Sequence, residues 1–319
     1  MAEFEDIETT RRLYRSMRLI RRTEEEIARI YPSDKIKSPV HLSIGQEAIS
    51  VGVCDVLRPD DLVSATYRGH AAYLAKGGDL RAMFAELYGK VDGCAGGKAG
   101  SMHLIDMKHN ILGASAVVGT TIPIAVGFAL AIARRGEDRV VVAFFGDGAT
   151  EEGVFNESLN FAALKKLPVL FVCENNQFAI HQPLEKRWAT GRLCARVESY
   201  GISAERIHDS NIETIREQSA AAVQAIRAGG GPAFLECVTY RWREHVGPGE
   251  DYDDGYRDRA MLDQWRDRDQ MVYLGASIDA ASKARIDSEV DARIADAIEF
   301  AEQSPFPPLE DLHRHVYAE

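Results

Sequence analysis

The chain lacks the marks of several large protein classes. Its five cysteines, Cys54, Cys94, Cys173, Cys194 and Cys237, are odd in number and scattered, and no CxxC occurs. Neither a disulfide framework nor a thiolate zinc site is therefore indicated. No apolar run approaches the roughly 18 residues of a membrane span. The first residues, MAEFEDIETTRRLYRSMRL, open on acidic residues and have no signal-peptide core. Lys and Arg form no block, and the net charge is −11. Non-specific binding to nucleic acid is disfavoured by that balance. Two phosphate motifs are also missing: no GxxxxGK[ST] occurs, and no GxGxxG opens a helix after a strand. The expectation is a reduced, cytoplasmic protein that binds neither nucleic acid nor membrane.

The chain does have 319 residues and 45% hydrophobic content, enough for a substantial core. Asp6 to Ile30 reads as an amphipathic helix, with Leu13, Met17, Ile20 and Ile27 on one stripe. A helix is expected from about Gly45 to before Pro59, and a short strand within 61–66. KVDGCAGGKAGSMH reads as a glycine-rich loop and GTTIPIAVGFALAIARR as a buried helix. Two apolar runs, Val140–Phe145 and Pro168–Cys173, flank a helix over Glu152–Lys166, which makes a βαβ unit and a parallel sheet. A helix over Ile212–Ala228 and a strand over Ala233–Thr239 continue the alternation. After Tyr252 only charged helical segments follow. The expected fold class is α/β, a parallel sheet with helices on both faces, over residues 1–250. A helical C-terminal extension would cover 251–319.

Each of the two central strands ends in oxygen-bearing residues, Gly146-Asp147-Gly148 after the first and Glu174-Asn175-Asn176 after the second. Ligands of open parallel sheets bind beyond these carboxyl ends. The glycines allow a tight turn and close backbone approach, and the following helix offers amides to an anion. Asp147 would repel a bare phosphate unless a divalent cation lay between them. Magnesium prefers hard oxygen ligands shared with phosphate. Asp147 would supply a charged ligand and Asn176 a neutral one. Alone, Gly-Asp-Gly is usually just a turn; the pairing at neighbouring strand ends is far more specific.

These residues resemble the thiamine-diphosphate motif. HLSIGQEA, YRGH, GGKAGSMH, FFGDGATEEG, CENNQF and TYRWREH stand in the order seen in the alpha subunit of two-chain 2-oxo acid dehydrogenase first components, of the pyruvate, acetoin and branched-chain type. The resemblance runs from Arg11 to Tyr317. It implies thiamine diphosphate and Mg2+ as cofactors, with Asp147, Asn176 and the Phe178 carbonyl on the metal. It implies Gly146, with the amides of Gly148 and Ala149, at the diphosphate, gripped also by Tyr67, Arg68 and Arg241. Ala116 and Val118 would hold the aminopyrimidine by their backbone. His70 and His245 would be catalytic, with His245 near the cofactor's thiazolium; His41 and His103 also lie on motifs, in a structural or a catalytic role.

The activating glutamate of this family lies on a beta subunit. The resemblance therefore implies half an active site, completed in an α2β2 heterotetramer, with a lipoyl-bearing acyltransferase component as acceptor. An alternative keeps the cofactor but passes the acyl carbanion to an aldehyde, ketone or sugar, as a carboligase would. A non-catalytic interaction subunit is a third reading. Relatives often read Thr-Tyr-Arg-x-x-Gly-His-Ser; here Glu244 and Val246 replace the glycine and the serine. Glu244 is expected to favour a protonated His245, and GPGED to form a mobile segment.

Overall fold

A computed structural model describes residues 6–314; Tyr317 lies outside the described residues. Eleven helices are described: α1 Ile7–Ile30, α2 Glu47–Cys54, α3 His70–Ala75, α4 Leu80–Leu87, α5 Thr121–Arg135, α6 Gly153–Lys165, α7 Leu193–Glu198, α8 Ile212–Ala225, α9 Arg259–Arg266, α10 Gln270–Ala276 and α11 Ala280–Gln303. The strands are β1 Leu62–Ser64, β2 Ile111–Gly113, β3 Val141–Gly146, β4 Val169–Asn175, β5 Phe178–Ala179, β6 Gln182–Pro183, β7 Ser203–Ile207 and β8 Ala233–Val238. β2-β1-β3-β4-β8-β7 form a six-stranded sheet whose pairings are all parallel. β5 and β6 make a separate antiparallel hairpin.

Alternation in β3 and β4 builds a core on each face. Val142, Phe144, Leu170 and Val172 point to the side of α1, α2 and α8. Val141, Ala143, Phe145, Val169, Phe171 and Cys173 point to the side of α5, α6 and α7. Successive strand residues face opposite ways, so unbroken apolar runs suit a sheet covered on both sides. Cys173 and Cys237 are small core residues, and all five cysteines are free.

The helix α1 is capped by Asp6, whose carboxylate accepts from the amides of Glu8 at 3.0 Å and Thr9 at 3.3 Å. Its expected stripe is buried. Arg21 crosses from this stripe to Glu47 at the start of α2 and to Asp269 before α10, 3.1 Å away. The glycine-rich loop is organised by one buried carboxylate: Glu86 accepts from the amides of Ala95, Gly97, Ala99 and Gly100.

Two expectations change. α5 is buried on one face only: Ile122, Ala125, Val126, Ala129 and Ile132 are buried, but Ile124 and Phe128 are exposed. Among the described residues nothing covers Ile124 and Phe128 on its outer face. The segment 244–249 is pinned: Gly247 donates to the Val40 carbonyl at 2.7 Å, and Gly249 donates to Glu244 Oε1 at 2.6 Å. Among the described residues no helix is long and apolar enough to cross a membrane.

Candidate cofactor site

Five parallel strands deliver their carboxyl ends to one cavity of about 260 Å³. Tyr67 and Arg68 follow β1; Ser115, Val117 and Val118 follow β2; Gly146, Asp147, Gly148 and Ala149 close β3. Asn176 and Phe178 follow β4, and His245 comes from the segment after β8. Chain order runs outward in opposite directions from the β1–β3 pair. That reversal is where open α/β sheets leave a crevice for ligands.

Arg68 is 7% exposed. It donates to the carbonyls of Leu42 at 2.7 Å and His245 at 3.0 Å. Among the described residues it forms no ion pair with a carboxylate. Burial pushes its guanidinium down to about 10. A buried cation with neutral hydrogen-bond partners only can take an anion as its counter-charge.

Asp147 begins a single 3-10 turn, Asp147–Glu151, that precedes α6. The amides of Gly148 and Ala149 therefore belong to this turn, ahead of the helix α6. A side chain on Gly148 would come within 3.1 Å of Ala179 Cβ, so the backbone passes close to the β5–β6 hairpin. The Asp147 carboxyl is 1% exposed. Its Oδ2 is paired with Arg187, while its Oδ1 is buried and accepts no hydrogen bond. Burial pushes this carboxyl above its ordinary range, against the pull of Arg187. An orphaned buried acceptor calls for a partner.

Asn176 Nδ2 donates to Gln46 Oε1 at 2.9 Å. This leaves Asn176 Oδ1 as an acceptor, used once, by the Phe178 amide at 3.1 Å. Gln46 is thereby a residue that sequence reasoning missed, although it stands inside HLSIGQEA. Glu174, the first residue of Glu-Asn-Asn, also lines the cavity. Burial pushes its carboxyl up to about 8.

His245 faces a ring cluster with Tyr67 at 5.9 Å, His41 at 5.2 Å and His181 at 6.5 Å between centroids. Its Nδ1 lies 3.4 Å from Arg68 Nη2, so Nδ1 accepts and the ring proton sits on Nε2. Burial, reinforced by Arg68, pushes His245 down to about 3; burial and Arg68 do the same to His41. The expected protonation of His245 by Glu244 is therefore corrected. The Glu244 carboxylate turns to the Gly249 amide instead.

His70, Ala116 and Arg241 are not brought to the cavity wall. His70 is 0% exposed, with Nε2 2.8 Å from Ser101 Oγ and Nδ1 3.3 Å from Glu24. It joins α1 to the glycine-rich loop from behind the cavity. Arg241 is buried and already paired with Asp251 at 2.9 Å. It also donates to the Ile180 carbonyl at 3.2 Å, so it stands one layer behind the wall that Ile180 forms. Ala116 lies between Ser115 and Val117, both of which line the cavity.

The residues present fit a divalent metal and a diphosphate: hard oxygens at Asp147 and Asn176, one orphaned, and an anion-seeking Arg68. Among the described residues no three His, Cys, Asp or Glu side chains cluster as a metal site. The expected set has only one charged ligand.

Fold and cavity define a parallel α/β protein with a cavity at its strand ends that carries a buried guanidinium. The chain belongs to the dehydrogenase E1 component family, whose model matches residues 15–310. It is an alpha-type member. It is 37% identical to the chloroplastic pyruvate dehydrogenase E1 component subunit alpha-3 of Arabidopsis thaliana, over 96% of this chain and 74% of that one. It is 35% identical to the alpha subunit of the acetoin:2,6-dichlorophenolindophenol oxidoreductase of Bacillus subtilis, over 96% and 92%. To the pyruvate dehydrogenase E1 component subunit alpha of Zymomonas mobilis it is 34% identical, over 98% and 89%. The relatives fit the dehydrogenase reading and lend the carboligase alternative no support.

Proposed function

We propose that this chain is the diphosphate- and metal-holding half of a thiamine-diphosphate-dependent 2-oxo acid dehydrogenase. The observation that carries the reading is Arg68, a buried guanidinium with only neutral partners, on the same cavity as the orphaned Asp147 Oδ1. Thiamine diphosphate, when bound, supplies the carbon nucleophile needed to release carbon dioxide from a 2-oxo acid.

Arg68 and Tyr67 grip the diphosphate, with the amides of Gly148 and Ala149. Asp147, Asn176 and the Phe178 carbonyl hold Mg2+. Gln46 accepts a hydrogen bond from the Asn176 amide nitrogen and so would leave the Asn176 oxygen for the ion. Val118, with Ala116 beside it, orients the ring by backbone contact. His245, on the cavity lining, would offer its Nε2 hydrogen to the substrate. Arg241 and His70 hold the walls from behind. Such a division of labour is positioning and electrostatics around a cofactor.

A beta subunit in an α2β2 assembly completes the site, and a lipoyl-bearing acyltransferase receives the acyl group. The same proposal places the assembly in the cytoplasm, where five unpaired thiols stay reduced. Decarboxylation of a 2-oxo acid panel by this chain with and without a beta-type partner tests the reading. Activity is expected only with the partner. Robust activity from this chain alone, or none on any 2-oxo acid with the partner, would overturn it.

A further inference from the structure

Arg187 has no motif to announce it, yet every donor group of its side chain is engaged. Its side chain is 6% exposed. Nε donates to the Gln182 carbonyl at 3.1 Å, which ties the guanidinium to the β5–β6 hairpin. Nη1 pairs with Glu151 and Nη2 with Asp147 Oδ2. Glu151 also accepts from Trp188 Nε1 at 3.1 Å, so the carboxylate opposite Arg187 is itself fixed.

This fork holds only one of the two Asp147 oxygens. The other, Oδ1, is buried and unpartnered. A carboxylate gripped on one oxygen by a rigid guanidinium cannot rotate freely, and it presents the remaining oxygen in one direction. Arginine also cannot surrender its charge to burial, so it stays a counter-ion when no metal is present. Ligating carboxylates are commonly fixed by such outer partners, at 10–100-fold in metal affinity.

Resting on the function proposed above, we propose that Arg187 is a positioning residue for the metal: it holds Asp147 on Oδ2 and leaves Oδ1 as a single, pre-aimed ligand. Arg187 and the ion then share the carboxylate rather than compete for it. The hairpin and the Asp147–Glu151 turn become one rigid frame for the metal side of the cavity.

Manganese is the probe, titrated into the chain assembled with its beta-type partner in the presence of thiamine diphosphate, with bound ion read by electron paramagnetic resonance. In Arg187→Met the half-saturating Mn2+ concentration is expected to rise about 10–100-fold. At saturating Mn2+ the cofactor affinity should return close to that of the unaltered protein. Arg187→Lys, which keeps charge but loses the fork, should fall between the two, and it carries the test if the methionine variant does not fold. An unchanged half-saturation in the variants would overturn the proposal. Tighter Mn2+ binding would overturn it too, by showing that Arg187 competes with the ion. If the unaltered protein binds no Mn2+ with thiamine diphosphate, the function proposed above fails, and this inference with it.

Discussion

Arg68 concentrates the chemistry of the site in one side chain. Its partners, two carbonyls and the His245 ring nitrogen, satisfy hydrogen bonds but not charge. Arg68→Met should therefore weaken thiamine diphosphate binding more than it weakens the fold. One lost charge-assisted hydrogen bond is worth about 1.5–3 kcal/mol, or roughly 10–100-fold in affinity. Isothermal titration of the assembled protein should show that loss, while the urea midpoint moves little. A large stability loss with unchanged affinity would mark Arg68 as structural.

The neighbouring imidazoles carry a pH signature. His41 and His245 are pushed from 6.5 to about 3 by burial and by Arg68; around them lie Tyr67, His70, His181 and Arg241. The unfolded chain takes up protons below about pH 6.5 that the folded chain refuses until about pH 3. Stability from these groups is thus present above pH 6.5 and lost as pH falls through that window. His41→Asn and His245→Asn should each shrink the drop in urea midpoint between pH 7 and pH 5. An unchanged drop would mean that neither ring is held neutral.

Among the elements, α1, α2 and α10 meet at one buried charge cluster. Arg21 pairs with Glu47 and Asp269, and Glu47 also accepts from the Gly45 amide at 2.9 Å. That last bond fixes the turn carrying Gln46, which orients Asn176 at the cavity. Breaking a buried pair by removing one partner costs about 3–5 kcal/mol. Arg21→Met should cost that much in urea denaturation and loosen metal-dependent cofactor binding as well. Loss of stability with intact binding would separate the cluster from the site.

Elements with strong patterns were legible in the sequence, and those without were not. β3 and β4 are unbroken apolar runs buried on both faces, and α1 has a clean stripe; all three stand where the pattern puts them. β7 is the edge strand Ser203–Ile207, polar and half-exposed, and carries no such pattern. The two-residue strands of the β5–β6 hairpin are too short to show periodicity. At the cavity, most of the residues that strand ends bring to the wall stand on the quoted motifs. The contacts of Gln46 and Arg187 were not legible, because they act through partners distant in sequence: 130 residues for Gln46 with Asn176 and 40 for Arg187 with Asp147. His70 and Arg241 show the reverse: motif residues whose side chains are taken by Glu24, Ser101 and Asp251.

At the scale of the whole molecule, the boundary near residue 250 divides the sequence but not the contacts. Asp251 holds Arg241 and Arg257, and Tyr252 donates to the Trp242 carbonyl at 3.1 Å. α11 lies against the N-terminal helices, with Arg15, Arg18 and Arg22 of α1 paired to its acids. We propose that 1–250 and 251–319 are a binding unit and an extension that fold as one. A chain ending at residue 250 would leave Arg241 buried without its carboxylate and uncover the α1 stripe. It should fail to give a cooperative unfolding transition; a sharp transition with near-normal midpoint would make the two parts independent.

The central claim is that the strand ends hold a diphosphate through a divalent metal on Asp147. Titration calorimetry of thiamine diphosphate into the protein assembled with its beta-type partner, with Mg2+ and with Mg2+ removed by chelation, tests it most directly. Binding is expected with the metal, and it should be lost both on chelation and in Asp147→Ala. Near-normal binding by Asp147→Ala, or binding indifferent to Mg2+, would contradict the account.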